Sequence, residues 1–151
     1  MKIIKLILLS TFLFFTTQSF SQTSAPSPFH GAEAKLKSYR ALFILDQSDP
    51  QKMEMILHNI KNSLDDPRLE GKLKVELVAF GNGVELYRKS NHMDTLLLPL
   101  LKKGVIFAEC ENTMKMKKIT RDQLWPFVSY VPSGNGEIII RESQGWVGIH
   151  P

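Results

Sequence analysis

Tyr39-Arg40-Ala41-Leu42-Phe43-Ile44-Leu45-Asp46-Gln47-Ser48-Asp49-Pro50, continued by Met53, Ile56, Ile60 and Leu64, decides the fold. Tyr39 to Leu45 is an apolar run of strand length and reads as a buried strand. Asp49 is a helix-capping residue type and Pro50 suits a first helical turn. The four apolar residues that follow recur at helical spacing, which predicts a helix from Pro50 to about Leu64 with one apolar face turned to a sheet. A strand feeding directly into a helix is the first unit of a βα repeat.

The repeat continues toward the C-terminus. Lys74 to Phe80 reads as a second strand, closed by Gly81-Asn82-Gly83, and helical sequence follows through Leu86-Tyr87 and from about Met93 to Lys103. Leu96-Leu97-Leu98-Pro99-Leu100-Leu101 is apolar all round, as expected of a helix buried in the core or in a subunit contact, with a kink or break at Pro99. After the Gly104 stop, Val105 to Ala108 reads as a third strand leading into Cys110, and Asn112 to Lys117 as a short polar helix. Thr120-Arg121-Asp122 opens a further helical turn carrying Leu124 and Trp125, and Phe127 to Val131 reads as a fourth strand closed by Pro132-Ser133-Gly134. Glu137 to Gln144 suits either helix or strand, since Ile138-Ile139-Ile140 is β-branched; alternation assigns it to helix and makes Trp146 to Ile149 the fifth strand. The expectation is an α/β domain with a mostly parallel five-stranded sheet covered on both faces.

Upstream, Met1-Lys2-Ile3-Ile4-Lys5 precedes an apolar run from Leu6 to Phe15 and then small and polar residues, the plan of a signal peptide with its cut after Ser21. The run falls short of the ~20 residues that span a bilayer, which disfavours the alternative of an uncleaved anchor. The absence of cysteine near the cut excludes a lipoprotein. Residues 22–38 are rich in Ser, Thr, Pro and Ala and read as a flexible leader. The expected mature protein is exported, periplasmic or secreted, and free of the membrane. Cleavage removes Lys2 and Lys5 and no acidic residue, lowering the net charge from +4 to +2. That balance gives no footprint for nucleic acid. The densest basic run, Lys115, Lys117, Lys118 and Arg121, interleaves Met114 and Met116 rather than aromatics and reads as a solvated face.

In open α/β sheets ligands bind beyond the carboxyl ends of the strands. The loops there are Asp46 to Asp49, Gly81 to Gly83, Cys110 to Thr113 and Pro132 to Gly136, and one holds the single cysteine of the chain. A thiol at a strand-to-helix junction meets free N–H groups that favour the thiolate. Glu111 would oppose this if close, and Lys115 and Lys118 would offset it only by folding back. Free cysteine also packs often as a small hydrophobe, and position alone leaves both readings open.

Other chemistries lack their residues. One cysteine forms neither a Cys-x-x-Cys exchanger nor an internal disulfide. His30, His58, His92 and His150 have no ligand spacing, so no metal is expected. A Cys-His hydrolase needs one of them brought to Cys110 in space. Gly81-Asn82-Gly83 and Gly134-Asn135-Gly136 carry neither a P-loop nor a dinucleotide fingerprint, and no cofactor is expected; a flavodoxin-like mononucleotide site would rest on those two turns alone. Asp46 and Asp49 read as turn and cap, and Trp125 and Trp146 as core.

The segment Gly104-Val105-Ile106-Phe107-Ala108-Glu109-Cys110-Glu111-Asn112-Thr113, then Val131-Pro132-Ser133-Gly134 and the ending Gln144-Gly145-Trp146-Val147-Gly148-Ile149-His150-Pro151, resembles the DsrE/DsrF-like family from about Tyr39 to the C-terminus. The Gly81-Asn82-Gly83 turn falls at that family's Gly-containing loop. The resemblance implies a three-layer α/β/α sandwich, assembly into trimers or hexamers, and a cysteine, matched by Cys110, that carries sulfur as a persulfide. The activity implied is at most that of a sulfurtransferase-like carrier. Asn112 and Thr113 would position the backbone around Cys110, and Gly81, Asn82, Gly83, Ser133 and Gly134 complete the candidate binding set. The rival expectation is a non-enzymatic oligomeric module with a packed, unreactive Cys110. The family's relays work in a reducing cytoplasm, so an exported member would have other, unknown donors and acceptors.

Overall fold

The computed structural model describes residues 29–151; the expected signal peptide, residues 1–21, lies outside them. Residues 29–38 contain no helix or strand, and Glu33–Pro151 is one compact unit. The order is β1 (Tyr39–Leu45), α1 (Pro50–Leu64), β2 (Leu73–Ala79), a 3-10 segment (Gly81–Tyr87) and a short one (Lys89–Asn91), α2 (Asp94–Lys102), β3 (Ile106–Cys110), α3 (Glu111–Lys117), a 3-10 turn (Arg121–Gln123), β4 (Ser129–Val131), α4 (Gly134–Ser143) and β5 (Val147–Ile149). Asp49 caps α1 as its sequence implies, its Oδ1 accepting the Gln51 N–H at 2.9 Å.

The strands form one sheet in the order β4-β3-β2-β1-β5, and every pair is parallel. The expected α/β class and covered five-stranded sheet are therefore borne out, and the sheet is wholly rather than mostly parallel. From β1 the chain steps outward through β2 and β3 to β4, then returns across the sheet to lay β5 on the far side of β1. Right-handed crossovers place connections stepping in opposite directions on opposite faces. This accounts for the uneven layers. Met53, Ile56, Leu57 and Ile60 of α1 and Leu97 and Leu100 of α2 join Phe43, Leu77 and Phe107 in the larger core. On the other face Leu42, Val78, Ala108 and Trp146 form a small cluster with Ile44, Val131 and Ile138. There α4 packs against β2 and β5.

Three local readings are corrected. Within one chain the core does not bury the Leu96–Leu101 run all round: Leu97 and Leu100 point into the core, whereas Leu98 is 40 % exposed and Pro99 is also on the surface. Pro99 lies within a continuous α2, because a proline on the solvent side deprives the helix of one hydrogen bond without opening the core. The fourth strand starts at Ser129, not Phe127. The Trp125 N–H is drawn to the Tyr87 carbonyl at 3.1 Å and the Val128 N–H turns back to the Trp125 carbonyl at 3.1 Å. Finally, α4 begins at Gly134, before the expected Glu137, because the Ser133 hydroxyl accepts the Gly136 N–H and caps it there.

Candidate functional site around Cys110

Because all five strands run the same way, their carboxyl ends share one edge of the sheet. Cys110 is the last residue of β3 and the N-cap of α3. Alternation along β3 puts its side chain on the same face as Ala108, under α4. Phe80 and the loop after β2 form one flank of this corner, and the start of α4 closes the other.

Glycine makes that closure possible. A Cβ on Gly134 would stand 2.9 Å from both Cβ and Cδ1 of Phe80, closer than carbon atoms pack. Without a side chain, the first turn of α4 comes close enough for the Gly134 N–H to face the Cys110 sulfur. Burial pushes the Cys110 thiol up, but the backbone N–H groups of Thr113 and Gly134, the Thr113 hydroxyl and the Asn112 N–H outweigh it and hold the thiol below its ordinary range. Thr113 suits the role because its Oγ1 already accepts the Gly81 N–H at 2.8 Å, which leaves the hydroxyl proton for the sulfur. The thiol is thus surrounded by donors from two helices, and Cys110 is 5 % exposed.

The expected site residues divide into two groups. Cys110, Thr113, Gly81, Ser133 and Gly134 come together, with Asn112 contributing its backbone. Asn82 turns away: its Oδ1 accepts from Lys117 Nζ at 2.8 Å, and its N–H from the backbone goes to the Asp46 carbonyl at 3.0 Å. Gly83 is structural, since a Cβ there would lie 2.2 Å from the Leu45 carbonyl oxygen. Glu111 does not oppose the thiolate, because Arg121 holds its carboxylate at 2.6 Å. Arg121 of the basic run lies over the Tyr130 ring, 4.3 Å from its centroid, so that run is not wholly solvated. His150 approaches Asp46 at 3.3 Å rather than Cys110. Among the described residues no cluster of three or more His, Cys, Asp or Glu is placed to hold a metal, and no helix is long and apolar enough to cross a membrane.

Two buried carboxyl groups escaped the sequence reading. Glu76 of β2 is 1 % exposed and sits 2.6 Å from Arg141 of α4, whose guanidinium also meets Glu137 at 2.7 Å and stacks on Trp146. Burial is the strongest influence on it and overrides the arginine, so its carboxyl is pushed up to about 7. Glu109, the neighbour of Cys110, has no exposure, and neither oxygen has a hydrogen-bond partner among the described residues. Burial first, and then the Cys110 sulfur, push it up to about 9. A charged residue inside an apolar strand, as in Val75-Glu76-Leu77 and Ala108-Glu109-Cys110, was the available signal.

No protein-family model and no curated protein matches the chain. Among solved structures it is similar to a protein of unknown function, MTH1491 from Methanobacterium thermoautotrophicum, with 30% identity, a TM-score of 0.71, and alignment over 76% of this chain and 100% of that one. The chain belongs to the same family as MTH1491. A conserved protein of unknown function from Bacteroides thetaiotaomicron, BT1422, is similar in fold, with a TM-score of 0.57 at 15% identity, over 74% of this chain and 94% of that one.

Proposed function

We propose that this member of the MTH1491 family is an exported, DsrE-like sulfur carrier that holds sulfane sulfur as a persulfide on Cys110. The observation that supports the reading is the convergence of N–H donors from Thr113, Asn112 and Gly134, together with the Thr113 hydroxyl, on one sulfur. A thiolate is the form that attacks sulfur. In the loading step the Cys110 thiolate attacks the outer sulfur of a donor persulfide, R–S–SH; the new S–S bond forms as the donor S–S bond breaks, and R–S⁻ leaves. In the unloading step an acceptor thiolate attacks the outer sulfur of Cys110–S–SH and the Cys110 thiolate departs, stabilised by the same donors. No net oxidation occurs in either transfer.

Incubation of the folded protein with a small persulfide donor, followed by intact mass, tests the reading. The expected result is a gain of one sulfur atom on wild type, removed by a thiol acceptor and absent from Cys110→Ser. A second reading, a binding module that uses Cys110 as packing, is favoured by the low exposure of that residue; it predicts no sulfur gain at any donor concentration that leaves the protein folded. Export is part of the proposal and rests on residues 1–21. Gln22 is then the N-terminus of the protein recovered outside the cytoplasm. Assembly into trimers or hexamers is likewise proposed, and a monomer by light scattering would remove it.

A further inference from the structure

α4 supplies the Gly134 N–H that faces the Cys110 sulfur, yet its apolar hold on the sheet is slight. Gly134 is its only buried residue, Ile138 is partly buried, and Ile139 and Ile140 are 66 % and 53 % exposed. The buried cluster beneath it is Leu42, Val78, Ala108 and Trp146. A short helix depends on tertiary contacts for its place, and so little apolar burial leaves that place loosely specified.

A second attachment lies toward the other end of the helix. Alternation along β2 puts Glu76 on the same face as Val78, which is the face of Ala108 and Cys110. Glu76 is buried there, and Arg141 reaches it at 2.6 Å. Neither Glu76 oxygen has an aligned hydrogen-bond donor among the described residues, so the attraction is that of an ion pair. The same guanidinium meets Glu137, one turn earlier, at 2.7 Å and lies 4.7 Å from the centre of the Trp146 ring. Gly134 stands against Phe80, four residues beyond Glu76, and Arg141 comes seven residues after Gly134. Roughly 13 Å of strand and roughly 10 Å of helix separate the two contacts, and the long arginine side chain makes up the difference. α4 is therefore fixed to the β2 strand and its loop at two points, a glycine contact and a charge pair.

We propose that Glu76 and Arg141 are positioning residues for Cys110: their ion pair seats α4 on β2 at the depth from which the Gly134 N–H reaches the sulfur. The inference rests on Cys110 being a thiolate site and adds what holds the remotest of its donors. Asn112 and Thr113 follow Cys110 closely in the chain, so their N–H groups stay with the sulfur whatever α4 does. Gly134 arrives from the loop after β4 and needs an anchor. Removing one partner of a buried ion pair leaves the other charge uncompensated, so loss of Arg141 makes α4 lift and admits water to Glu76.

The test is nitrogen-15 NMR of the Gly134 and Thr113 amides through the Cys110 titration, in wild type, Arg141→Met and Arg141→Lys, with the Cys110 midpoint read by alkylation. In wild type both amide resonances are expected to move with Cys110, and the movement is expected to vanish in Cys110→Ser. In Arg141→Met the Gly134 amide stops following while Thr113 continues, and the Cys110 midpoint rises by about one pH unit, the loss of one hydrogen bond to a charged group. Arg141→Lys, which returns a cation to Glu76 and Trp146, restores most of both. An ion pair that serves stability alone would lower the urea midpoint of Arg141→Met and leave Gly134 following the titration. That result overturns the proposal, as does a wild-type Gly134 amide that does not move or moves equally in Cys110→Ser. Should Arg141→Met fail to fold, Glu76→Gln combined with Arg141→Met, which removes both charges of the pair, is read in its place with the same expectation. Persulfide loading is measured separately: the expected amide changes without loading remove the sulfur reading and keep the anchor, and loading with Gly134 unaffected by Arg141→Met does the reverse.

Discussion

The backbone N–H of Gly81 donates to the Thr113 hydroxyl at 2.8 Å, tying the loop after β2 to the helix that Cys110 caps. Thr113 is 2 % exposed, so this oxygen has no ready substitute in water. Thr113→Val leaves the Gly81 N–H unsatisfied and removes one donor to the sulfur. The expected outcome is a stability loss of about 1–3 kcal/mol by urea unfolding and a Cys110 titration shifted upward. Thr113→Ser keeps both contacts and is expected to restore the thiol titration.

Gly134→Ala tests the close approach of α4 to β2. The added carbon has no room beside Phe80, so the first turn of α4 must withdraw and take its N–H from Cys110. Overpacking of this kind costs about 1–3 kcal/mol, and alkylation of Cys110 is expected to slow at neutral pH. Gly134→Ala combined with Phe80→Ala relieves the clash and is expected to recover part of the loss.

Stability should fall as the solution becomes alkaline. Glu76 titrates at about 7 and Glu109 at about 9 in the folded protein, against 4.5 for an ordinary glutamate. Both folded values are raised, so the folded state binds more protons than the unfolded one between 4.5 and those values, and stability declines through that window. Each glutamate contributes a limiting slope of about 1.4 kcal/mol per pH unit, both acting up to about pH 7; above it Glu109 still lowers stability, while Cys110, whose thiol is held below its ordinary range by its N–H donors, works in the opposite sense. On the acid side, Asp65 beside Lys103 and Lys61, and Asp66 beside Arg68, are held down at about 2, so their contribution is lost as pH falls from 3.8 toward 2. Urea midpoints measured across pH are expected to peak near pH 4–5, and Glu109→Gln is expected to flatten the alkaline limb.

Asp49→Ala removes the side-chain acceptor of the Gln51 N–H. The expected loss is about 1 kcal/mol, with no change in Cys110 reactivity, since the α1 cap makes no contact with the sulfur.

The sequence made some of this legible and concealed the rest for physical reasons. Tyr39–Leu45 and Pro50–Leu64 were readable to the residue because burial, cap and helical period agree there. Alternation recovered α4 despite Ile138-Ile139-Ile140; the helix leaves Ile139 and Ile140 exposed, so local β-propensity was a poor guide. Cys110 and Thr113 were visible as a strand-to-helix junction. The Gly134 N–H was not, because it reaches Cys110 only through the return of the chain across the sheet. Glu109 was hidden by its own neighbourhood: a single acidic letter in an apolar strand states neither its burial nor its lack of partners.

The most direct test of the central claim is alkylation of Cys110 in the folded wild-type protein across pH, read by intact mass. The account predicts fast labelling whose midpoint lies below the ordinary thiol value of ~8.5 and rises in Thr113→Val. Labelling that begins only when the protein unfolds would contradict it and leave Cys110 as a packed residue of the core.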